Sequence, residues 1–357
     1  MRILQIIDSL DVGGAEKMAV NYANSLSERV AFSGLVTTRK EGYLKVQLYP
    51  NVPYLFLNRK KRIDISAIIR LRDFCKENKI EYLQPHSFSY FTALLVKLTY
   101  PKVKIIWHDH YGLSEFLSKR KLLFLKMASF FFHGIIAVNF NLKNWAIKRL
   151  NCKKVIYLPN YTKIDQTIKK ETILYGVEGK RILCLANLRH QKNHFLLLEV
   201  AEKLKESNPD WTFHLVGNDA NDDYSQRVKQ QIKAKGLDQN VFIYGTKNDT
   251  VNIISQSDIT ILTSNSEGLP VALIEYGLLS KATVTTNVGE IPLIITNAEN
   301  GFVVAIKDAA DFYNKIMKLI NDESLRIKLG QNLNKTIIEQ NSEEAVLQQY
   351  FNWVATL

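Results

Sequence analysis

The sequence predicts an α/β protein with two Rossmann-like, doubly wound domains, each built on a parallel sheet. Short apolar segments of strand length alternate with helical patterns along the whole chain, which is typical of βα units and parallel sheets. The chain has 357 residues, 46% of them hydrophobic. This length exceeds one comfortable core and favours two domains over one.

The first domain is predicted to span residues 1–162. It opens with a strand at 2–7, a loop at 8–14 and a helix whose apolar positions recur at helical spacing. Further strands are predicted at 34–37, 54–57, 80–84, 103–107, 135–138 and 155–158. Ligands bind beyond the carboxyl ends of strands in such sheets, so the histidine-bearing loops after two of these strands are expected to line a cleft.

The remaining chain is predicted to contain a second domain of the same class. A charged segment, 163–180, has little strand pattern and is interpreted as a linker to a domain over 181–341. Its strands are predicted at 181–186, 212–216, 241–244, 259–262, 283–286 and 302–304. Residues 342–357 are expected to form a helix that either crosses back to the first domain or packs on the second.

The first residues and the cysteines indicate the compartment. MRILQIID is too short an apolar run for a secretory leader and is interpreted as the first strand. Cys75, Cys152 and Cys184 lie far apart, without the spacing of a disulfide framework or a zinc site. A reducing, cytoplasmic location is therefore expected.

The most informative segment for function runs from residue 259 to 292. A strand pattern ends in a polar loop, and Pro270 stands where a helix would begin, a position that proline tolerates. Free backbone donors at a helix N-terminus form an anion site. Glu267 in the loop and Glu275 in the helix flank this site, and Glu275 lies roughly 7–8 Å along the helix from Pro270. The pattern suits a diol beside an anion.

Two other segments give weaker signals of ligand binding. Gly13 and Gly14 open the first helix, where they allow either the close approach of a ligand or a plain tight turn. Arg189 and Lys192 follow the first strand of the second domain and could neutralise a diphosphate or lie at the surface. Neither GxGxxG nor a P-loop is found, so dinucleotide binding and phosphoryl transfer from ATP lose support.

A His-x-His triplet, His108–Asp109–His110, follows the strand at 103–107. Such a pair can bind a metal, but no third ligand stands at a recognised spacing. A structural hydrogen bond between histidine and aspartate is the favoured interpretation, and no metal site is predicted.

Together these motifs resemble family 4 of the retaining glycosyltransferases, which have the GT-B architecture of two Rossmann-like domains facing a cleft. The most specific motif is the pair of glutamates with seven residues between them in SEGLPVALIE, residues 266–275. Its ordered companions are Gly13–Gly14–Ala15–Glu16, His108–Asp109, Leu158–Pro159–Asn160, the loop from Arg189 to Lys192, Val216–Gly217 and Tyr244–Gly245. The resemblance covers nearly the whole chain.

The resemblance implies a reaction and its partners. A hexosyl or N-acetylhexosaminyl group would pass, with retention of configuration, from an NDP-sugar to a glycan or lipid-linked acceptor in cell-surface polysaccharide synthesis. The donor, with UDP or GDP, would bind mainly to the second domain and the acceptor to the first, without metal or cofactor. No nucleic-acid partner is expected, because no binding motif accompanies the positive charge.

The resemblance also implies the roles of individual residues. His108, Glu267, Lys192 and Arg189 would form the catalytic group, with His108 beside the donor sugar and Lys192 on the diphosphate. Asn187 stands where many members carry arginine, so Arg189 is the candidate to take over that contact. Glu275 would hold the ribose hydroxyls. The donor-binding residues implied are Gly13, Gly14, Asn187, Gly245, Thr246, Lys247, Gly268, Leu269, Pro270, Val271 and Glu275.

Two other functions remain open. One is hydrolysis or epimerisation of an NDP-sugar on the same fold. The other is a non-catalytic peripheral protein that binds acidic lipid or a polyanion through its basic half, since residues 1–160 contain 26 Lys and Arg against 11 Asp and Glu. The glutamates and the lysine of the resemblance count against the non-catalytic protein, while hydrolysis or epimerisation stays open.

The basic residues also suggest where the protein works. The clusters at 59–62 and 119–121 suit the inner face of an anionic membrane, although a solvated face over a phenylalanine core is an equal interpretation. The apolar segment 122–138 is predicted to be a membrane-facing or buried helix that breaks at Gly134 before a strand. It is too short and too polar to span a bilayer.

Overall fold

The computed structural model describes residues 1–112, 117–164 and 168–357, without the side chain of Lys119. Two compact units can be distinguished: unit 1 contains Met1–Tyr161 and Val346–Leu357, and unit 2 contains Thr162–Ala345. The side chain of Lys119, in the second basic cluster, and residues 165–167 of the predicted linker therefore lie outside the description.

Unit 1 is an α/β unit. Its strands are β1 (Arg2–Ser9), β2 (Phe32–Lys40), β3 (Tyr54–Phe56), β4 (Tyr82–Pro85), β5 (Lys104–Asp109), β6 (Phe132–Ala137) and β7 (Val155–Tyr157). Its helices are α1 (Gly14–Ser27), α2 (Ile65–Glu77), α3 (Tyr90–Thr99), α4 (Leu123–Ala128) and α5 (Phe140–Arg149). The described strands form one seven-stranded parallel sheet in the order β3-β2-β1-β4-β5-β6-β7.

The central position of β1 follows from its composition. Its residues Ile3–Ile7 are buried, as expected for a parallel strand covered on both faces. Strand order reverses between β1 and β4, so the loops after these strands emerge at the switch point where ligands bind in such sheets. The glycines after β1 and the histidines after β4 and within β5 are therefore at one edge.

Unit 2 repeats the architecture. Its strands are β8 (Arg181–Leu185), β9 (Thr212–Val216), β10 (Val241–Gly245), β11 (Ile259–Leu262), β12 (Ala282–Thr286) and β13 (Phe302–Val304). Its helices are α6 (His194–Ser207), α7 (Asp223–Ala234), α8 (Thr250–Ser255), α9 (Val271–Leu278), α10 (Ile291–Ile294), α11 (Ala309–Asn321) and α12 (Glu323–Asn341). Among the residues described, six parallel strands lie in the order β10-β9-β8-β11-β12-β13, with the switch point between β8 and β11.

Apolar positions of the helices close the core on both faces of this second sheet. One cluster packs α6, α7 and α11 against strands β8 to β13. A second cluster packs α8, α9 and α12 against the other face. The predicted fold class, two α/β units with parallel sheets, is confirmed.

The last helix, α13 (Glu343–Val354), begins in unit 2 and continues into unit 1. Val346, Leu347 and Tyr350 are buried in the same cluster as Ile3 of β1 and Ile106 of β5. This helix therefore supplies part of the core of unit 1.

The predicted linker carries no helix or strand in its described part, yet it is fastened to unit 2. The backbone N–H groups of Glu171 and Thr172 donate to Asp249 Oδ2 at 2.9 and 2.8 Å. Burial alone would raise the pKa of Asp249. Hydrogen bonds to the carboxylate, these two foremost, outweigh burial and lower the pKa to about 2. Leu174 is buried in the core around α9.

The prediction for segment 122–138 was wrong about the position of the break. Helix α4 ends at Ala128, a short 3₁₀ turn covers Ser129–Phe131, and strand β6 already begins at Phe132. Gly134 lies inside the strand, where a Cβ would be 2.6 Å from the Trp353 ring. The glycine therefore makes room for α13, and it does not end the helix. Of the helices within the described ranges, none is both long and apolar enough to cross a bilayer.

Candidate active site

The centre of the candidate site in unit 2 is an ion pair between two loops. Lys192 lies in a 3₁₀ turn, His190–Lys192, after β8, and Glu267 lies in the loop between β11 and α9. Lys192 Nζ pairs with Glu267 Oε1, and the hydroxyl of Ser264 donates to the same oxygen at 2.6 Å. Glu267 is buried and Lys192 is half-buried, so the ammonium is held by the carboxylate while part of it stays accessible.

Neighbouring hydrogen bonds hold the two loops together. The backbone N–H of Asn265 donates to Gln191 O at 2.8 Å, and Gln191 Nε2 donates to Ser266 O at 3.0 Å. The Thr263 hydroxyl donates to Lys192 O at 3.0 Å. Such support restricts the movement of a charged pair, which is what a preorganised site requires.

Gly289, in the loop between β12 and α10, packs beneath the Glu267 loop. Its φ of +55° lies in the left-handed region, and a Cβ there would be 2.1 Å from Glu267 O. The N–H of Glu290 donates to Gly268 O at 3.1 Å. The absence of a side chain at Gly289 therefore allows this loop to approach that of Glu267.

Helix α9 begins beside the pair. Pro270 is its N-cap residue, with φ −70° and ψ 128°, and makes no side-chain hydrogen bond to the start of the helix. The positive end of the helix dipole at this position favours an anion. Gly268, Leu269 and Val271 lie in the same turn. Glu275 is half-buried one turn further along.

The other predicted donor residues lie at the same edge of this sheet. Asn187 Oδ1 accepts from Asn218 N at 2.8 Å, so this side chain ties the loops after β8 and β9. Arg189, two residues on, is exposed. Gly245 ends β10 and accepts from Gly217 N at 3.0 Å, with half-buried Thr246 and Lys247 following. The predicted donor-binding residues of unit 2 thus lie at or beyond the carboxyl ends of the strands of one sheet.

In unit 1, His108 belongs to a cluster of three histidines. His108 and His110 follow one another at the end of β5, and His86 joins them from the end of β4. His86 Nδ1 and His110 Nε2 are 3.0 Å apart, and His86 Nε2 is 2.8 Å from Gln5 Oε1. Burial lowers the pKa of His86 and His108 well below the ordinary value and that of His110 to about 3. These imidazoles are therefore neutral near pH 7.

This cluster supplies the third histidine that no sequence spacing indicates. Its three ligand nitrogens lie within 4.8 Å of one another, and it is the group within the described ranges that could hold a metal ion. The third histidine, His86, has no sequence spacing to announce it, because it comes from a neighbouring strand. The hydrogen bond between His86 and His110 nevertheless satisfies two of these nitrogens within the protein. The absence of a metal stays a prediction.

Asp109 forms a structural pair, but not with histidine. Its carboxylate accepts two hydrogen bonds from the Arg120 guanidinium, both at 2.7 Å. Arg120 also lies over the rings of Trp107, Tyr111 and Trp145. The expected bond between histidine and aspartate was therefore wrong, because a buried carboxylate binds a cation in preference to a neutral imidazole.

The two predicted glycines at the start of α1 differ in their surroundings. A Cβ at Gly13 would be 2.2 Å from Glu16 Oε2, because the Glu16 side chain folds back over the helix start. Around Gly14 no heavy atom of the described residues lies within 4 Å of that position. Gly14 therefore leaves open space at the helix N-terminus, where an anion is favoured.

The fold is shared with glycosyltransferases of the GT-B architecture. The structure of Anabaena Alr3699/HepE in complex with UDP and glucose matches with a TM-score of 0.82 at 17% identity and covers 100% of both chains. The structure of TarM matches with a TM-score of 0.79 at 13% identity, over 99% of this chain and 98% of that one. At these identities the likeness shows the fold alone.

Sequence matches define the family. A model described as Glycosyltransferase Family 4 matches residues 12–166, and one described as Glycosyl transferases group 1 matches residues 165–336. The chain belongs to these group 1 glycosyltransferases of the family 4 type, as its motifs predicted.

Two curated relatives illustrate the family. The chain is 25% identical, over 80% of its own length and 78% of the relative, to UDP-Gal:alpha-D-GlcNAc-diphosphoundecaprenol alpha-1,3-galactosyltransferase of Escherichia coli. It is 23% identical to poly(ribitol-phosphate) alpha-N-acetylglucosaminyltransferase of Staphylococcus aureus, over 62% of this chain and 43% of that protein. The protein is therefore a glycosyltransferase of polysaccharide or glycoconjugate synthesis.

Proposed function

We propose that this protein transfers a hexosyl or N-acetylhexosaminyl group from an NDP-sugar, with retention of configuration, to a glycan or lipid-linked acceptor of the cell surface. The observation that carries the proposal is the Lys192–Glu267 pair beside the start of α9, where the N-cap residue Pro270 supplies no side-chain hydrogen bond. The names of the two curated relatives, which act on a diphosphoundecaprenol acceptor and on poly(ribitol-phosphate), support the class of acceptor.

The diphosphate leaving group would be stabilised in unit 2. Lys192 has three N–H donors, and one of them is used by Glu267, so the others can bind phosphate oxygens. The start of α9 supplies backbone donors and the positive end of its dipole. Exposed Arg189 can add a second cation without leaving a buried partner unpaired. These fixed charges favour the state in which the phosphate gains negative charge.

The reaction would proceed on one face of the sugar. The bond from the anomeric carbon to the phosphate oxygen breaks as the acceptor oxygen bonds to the same carbon. The leaving phosphate accepts the acceptor's proton, so no protein base and no metal are required in this scheme. Glu267 would orient Lys192 and contact the sugar, while neutral His108 would donate a hydrogen bond to the transferred sugar.

Glu275 would accept hydrogen bonds from the two ribose hydroxyls of the nucleotide, and Gly245–Lys247 would lie near the base. Replacing Glu275 with alanine is expected to weaken UDP or GDP binding by about ten- to a hundredfold, because bonds to a charged acceptor are lost. Thermal shift measures this directly: a ligand at 100 times its Kd stabilises by about 2.7 kcal/mol, and about half of this should be lost at a tenfold weaker Kd and most of it at a hundredfold weaker Kd.

The matched control is Glu199→Ala, which removes an exposed carboxylate of α6 in the same unit. This variant should keep the full nucleotide shift. Unchanged nucleotide binding by Glu275→Ala would refute the ribose role.

A panel of UDP- and GDP-sugars with a glycan or lipid acceptor, read by NMR of the product anomer, tests the reaction. Release of free or epimerised sugar with no acceptor product would instead support a hydrolase or epimerase.

We also infer that unit 1 attaches peripherally to the inner face of an anionic membrane. Leu123, Met127 and Phe130 follow one another at helical spacing on α4 and its 3₁₀ extension and are 80%, 59% and 73% exposed. In the Phe130–Phe132 run only Phe132 is buried. The interpretation of these phenylalanines as core therefore fails for the exposed ones.

The charge around this apolar stripe is of one sign. Residues 117–164 contain ten Lys and Arg and no Asp or Glu. Lys121 and Lys126 flank the stripe and are exposed, and Asn151 Nδ2 donates to Lys126 O at 2.6 Å, which joins the basic end of α5 to α4. An apolar stripe among cations suits the boundary between anionic headgroups and acyl chains.

A triple substitution, Leu123→Ser with Met127→Ser and Phe130→Ser, is expected to lower affinity for anionic vesicles by more than tenfold. Each exposed apolar side chain would contribute at least about 1 kcal/mol on insertion. Ile327→Ser, on the exposed side of α12, is the control and should change nothing. Vesicle sedimentation measures the binding. Equal partitioning of the natural protein to neutral and anionic vesicles would rule out the electrostatic attraction.

A further inference from the structure

A buried chain of hydrogen bonds joins the last helix to His108. The hydroxyl of Tyr350, on α13, donates to Gln84 Oε1 at 2.8 Å, and Gln84 Nε2 lies 3.2 Å from His108 Nδ1. All three side chains are at most 1% exposed. They come from α13, β4 and β5, and all three residues belong to unit 1.

The protons in this chain can be placed by counting donors and acceptors. Burial raises the pKa of Tyr350 well above its ordinary value, so the phenol keeps its proton. Among the described residues, the hydrogen-bond acceptor of that proton is the Gln84 amide oxygen. If the amide were turned over, its NH₂ group would face the phenol, and the phenol proton would be buried without an acceptor, which is costly.

The orientation of the amide then decides the state of the imidazole. With its oxygen on Tyr350, Gln84 presents an N–H to His108 Nδ1, so that this nitrogen must be the unprotonated one. Since His108 is neutral, its single proton lies on Nε2.

We propose that Tyr350 is a positioning residue that acts through Gln84 to keep His108 in the Nε2–H tautomer. Only this tautomer presents an Nε2–H to the transferred sugar. The catalytic meaning rests on the role proposed for His108, whereas the tautomer itself does not. Through Tyr350, helix α13 would then take part in the reaction as well as in the packing of unit 1.

The aromatic cluster around His108 contains a matched control. The ring of Tyr22 lies 5.3 Å from that of His108 and 5.3 Å from that of Tyr350. Tyr22 is also fully buried, but its hydroxyl makes no hydrogen bond to any residue that the structure describes. Tyr22→Phe therefore removes a buried hydroxyl from the same cluster and leaves the chain of hydrogen bonds intact.

The test is the nitrogen chemical shifts of the imidazoles in protein labelled with ¹⁵N-histidine, with the His108 signals assigned from a His108→Gln sample. The natural protein and Tyr22→Phe should show only the Nε2–H form. Tyr350→Phe should show a mixture, because no other hydrogen bond among the described residues then fixes which way the amide faces. Gln84→Glu should show the opposite tautomer, or the doubly protonated ring, since a carboxylate only accepts.

Kinetics separates this inference from the proposed function. Tyr350→Phe should lower kcat in proportion to the lost Nε2–H fraction while KM stays nearly constant, and Tyr22→Phe should retain kcat. A purely Nε2–H spectrum in Tyr350→Phe, or equal mixtures in both phenylalanine variants, would overturn the inference. If the tautomers change as expected but kcat does not, and His108→Gln is also active, the role of His108 is refuted while the control by Tyr350 stands.

Discussion

Replacing Lys192 with alanine is expected to lower kcat by about 10²–10³-fold, the usual loss when one preorganised group is removed from a developing negative charge. The loss should appear mainly in kcat, because the leaving phosphate gains charge only as its bond to the sugar breaks. Steady-state rates with a donor sugar and acceptor measure the effect.

The chain offers a matched control for this variant. Lys235 pairs with Glu202 in the same unit, away from the candidate site. Both substitutions remove a lysine from an ion pair, so they share any general effect on charge or stability. Lys235→Ala should retain the natural kcat. If Lys192→Ala is as active as Lys235→Ala, the diphosphate is not stabilised by Lys192 and the proposed mechanism fails.

Substituting Gly289 with alanine is expected to damage both stability and donor binding. A non-glycine residue at φ +55° costs about 1–2 kcal/mol. The new Cβ would also lie 2.1 Å from Glu267 O, which must move away, and overpacking of this kind costs about 1–3 kcal/mol more. Because the displaced loop carries Glu267 and leads into α9, the nucleotide thermal shift should also be lost.

Gly179→Ala separates the two contributions. Gly179 has φ +85°, but within the described ranges no heavy atom lies within 4 Å of its Cβ position. This variant should therefore show only the conformational cost and bind nucleotide normally. Calorimetry of both variants, with and without UDP or GDP, makes the comparison. Equal losses in the two would show that the close approach beneath Glu267 is unimportant.

Local sequence was sufficient to place the strands. Every strand of the described chain overlaps a predicted one, and β9, β11 and β13 have the predicted bounds. Apolar runs between turn residues make this possible. Their order in the sheet could not be read locally, because it depends on which helices pack on which face. His86 lies close to His108 because of that order, since β4 pairs with β5.

The same limit applies to the candidate site. Pro270 at the start of a helix, with Glu267 and Glu275 on either side of it, lies within one segment and could be read as an anion site beside a diol site. The pairing of Glu267 with Lys192, in contrast, joins residues 75 positions apart. Gly289 and Tyr350 gave no sequence signal of their own, because their importance lies in what packs against them. Gln84 does carry a signal, because a polar side chain within a buried strand needs a hydrogen-bond partner.

The division of unit 1 into two stretches of sequence has a consequence for biosynthesis. Domains generally fold as the chain emerges from the ribosome, the N-terminal one first. Here Val346–Leu357 emerges only after the whole of unit 2, so the apolar surface that Val346, Leu347 and Tyr350 cover on unit 1 stays open in the meantime. The domain that starts first is thus finished last. A nascent chain halted within unit 2 would present this surface to chaperones.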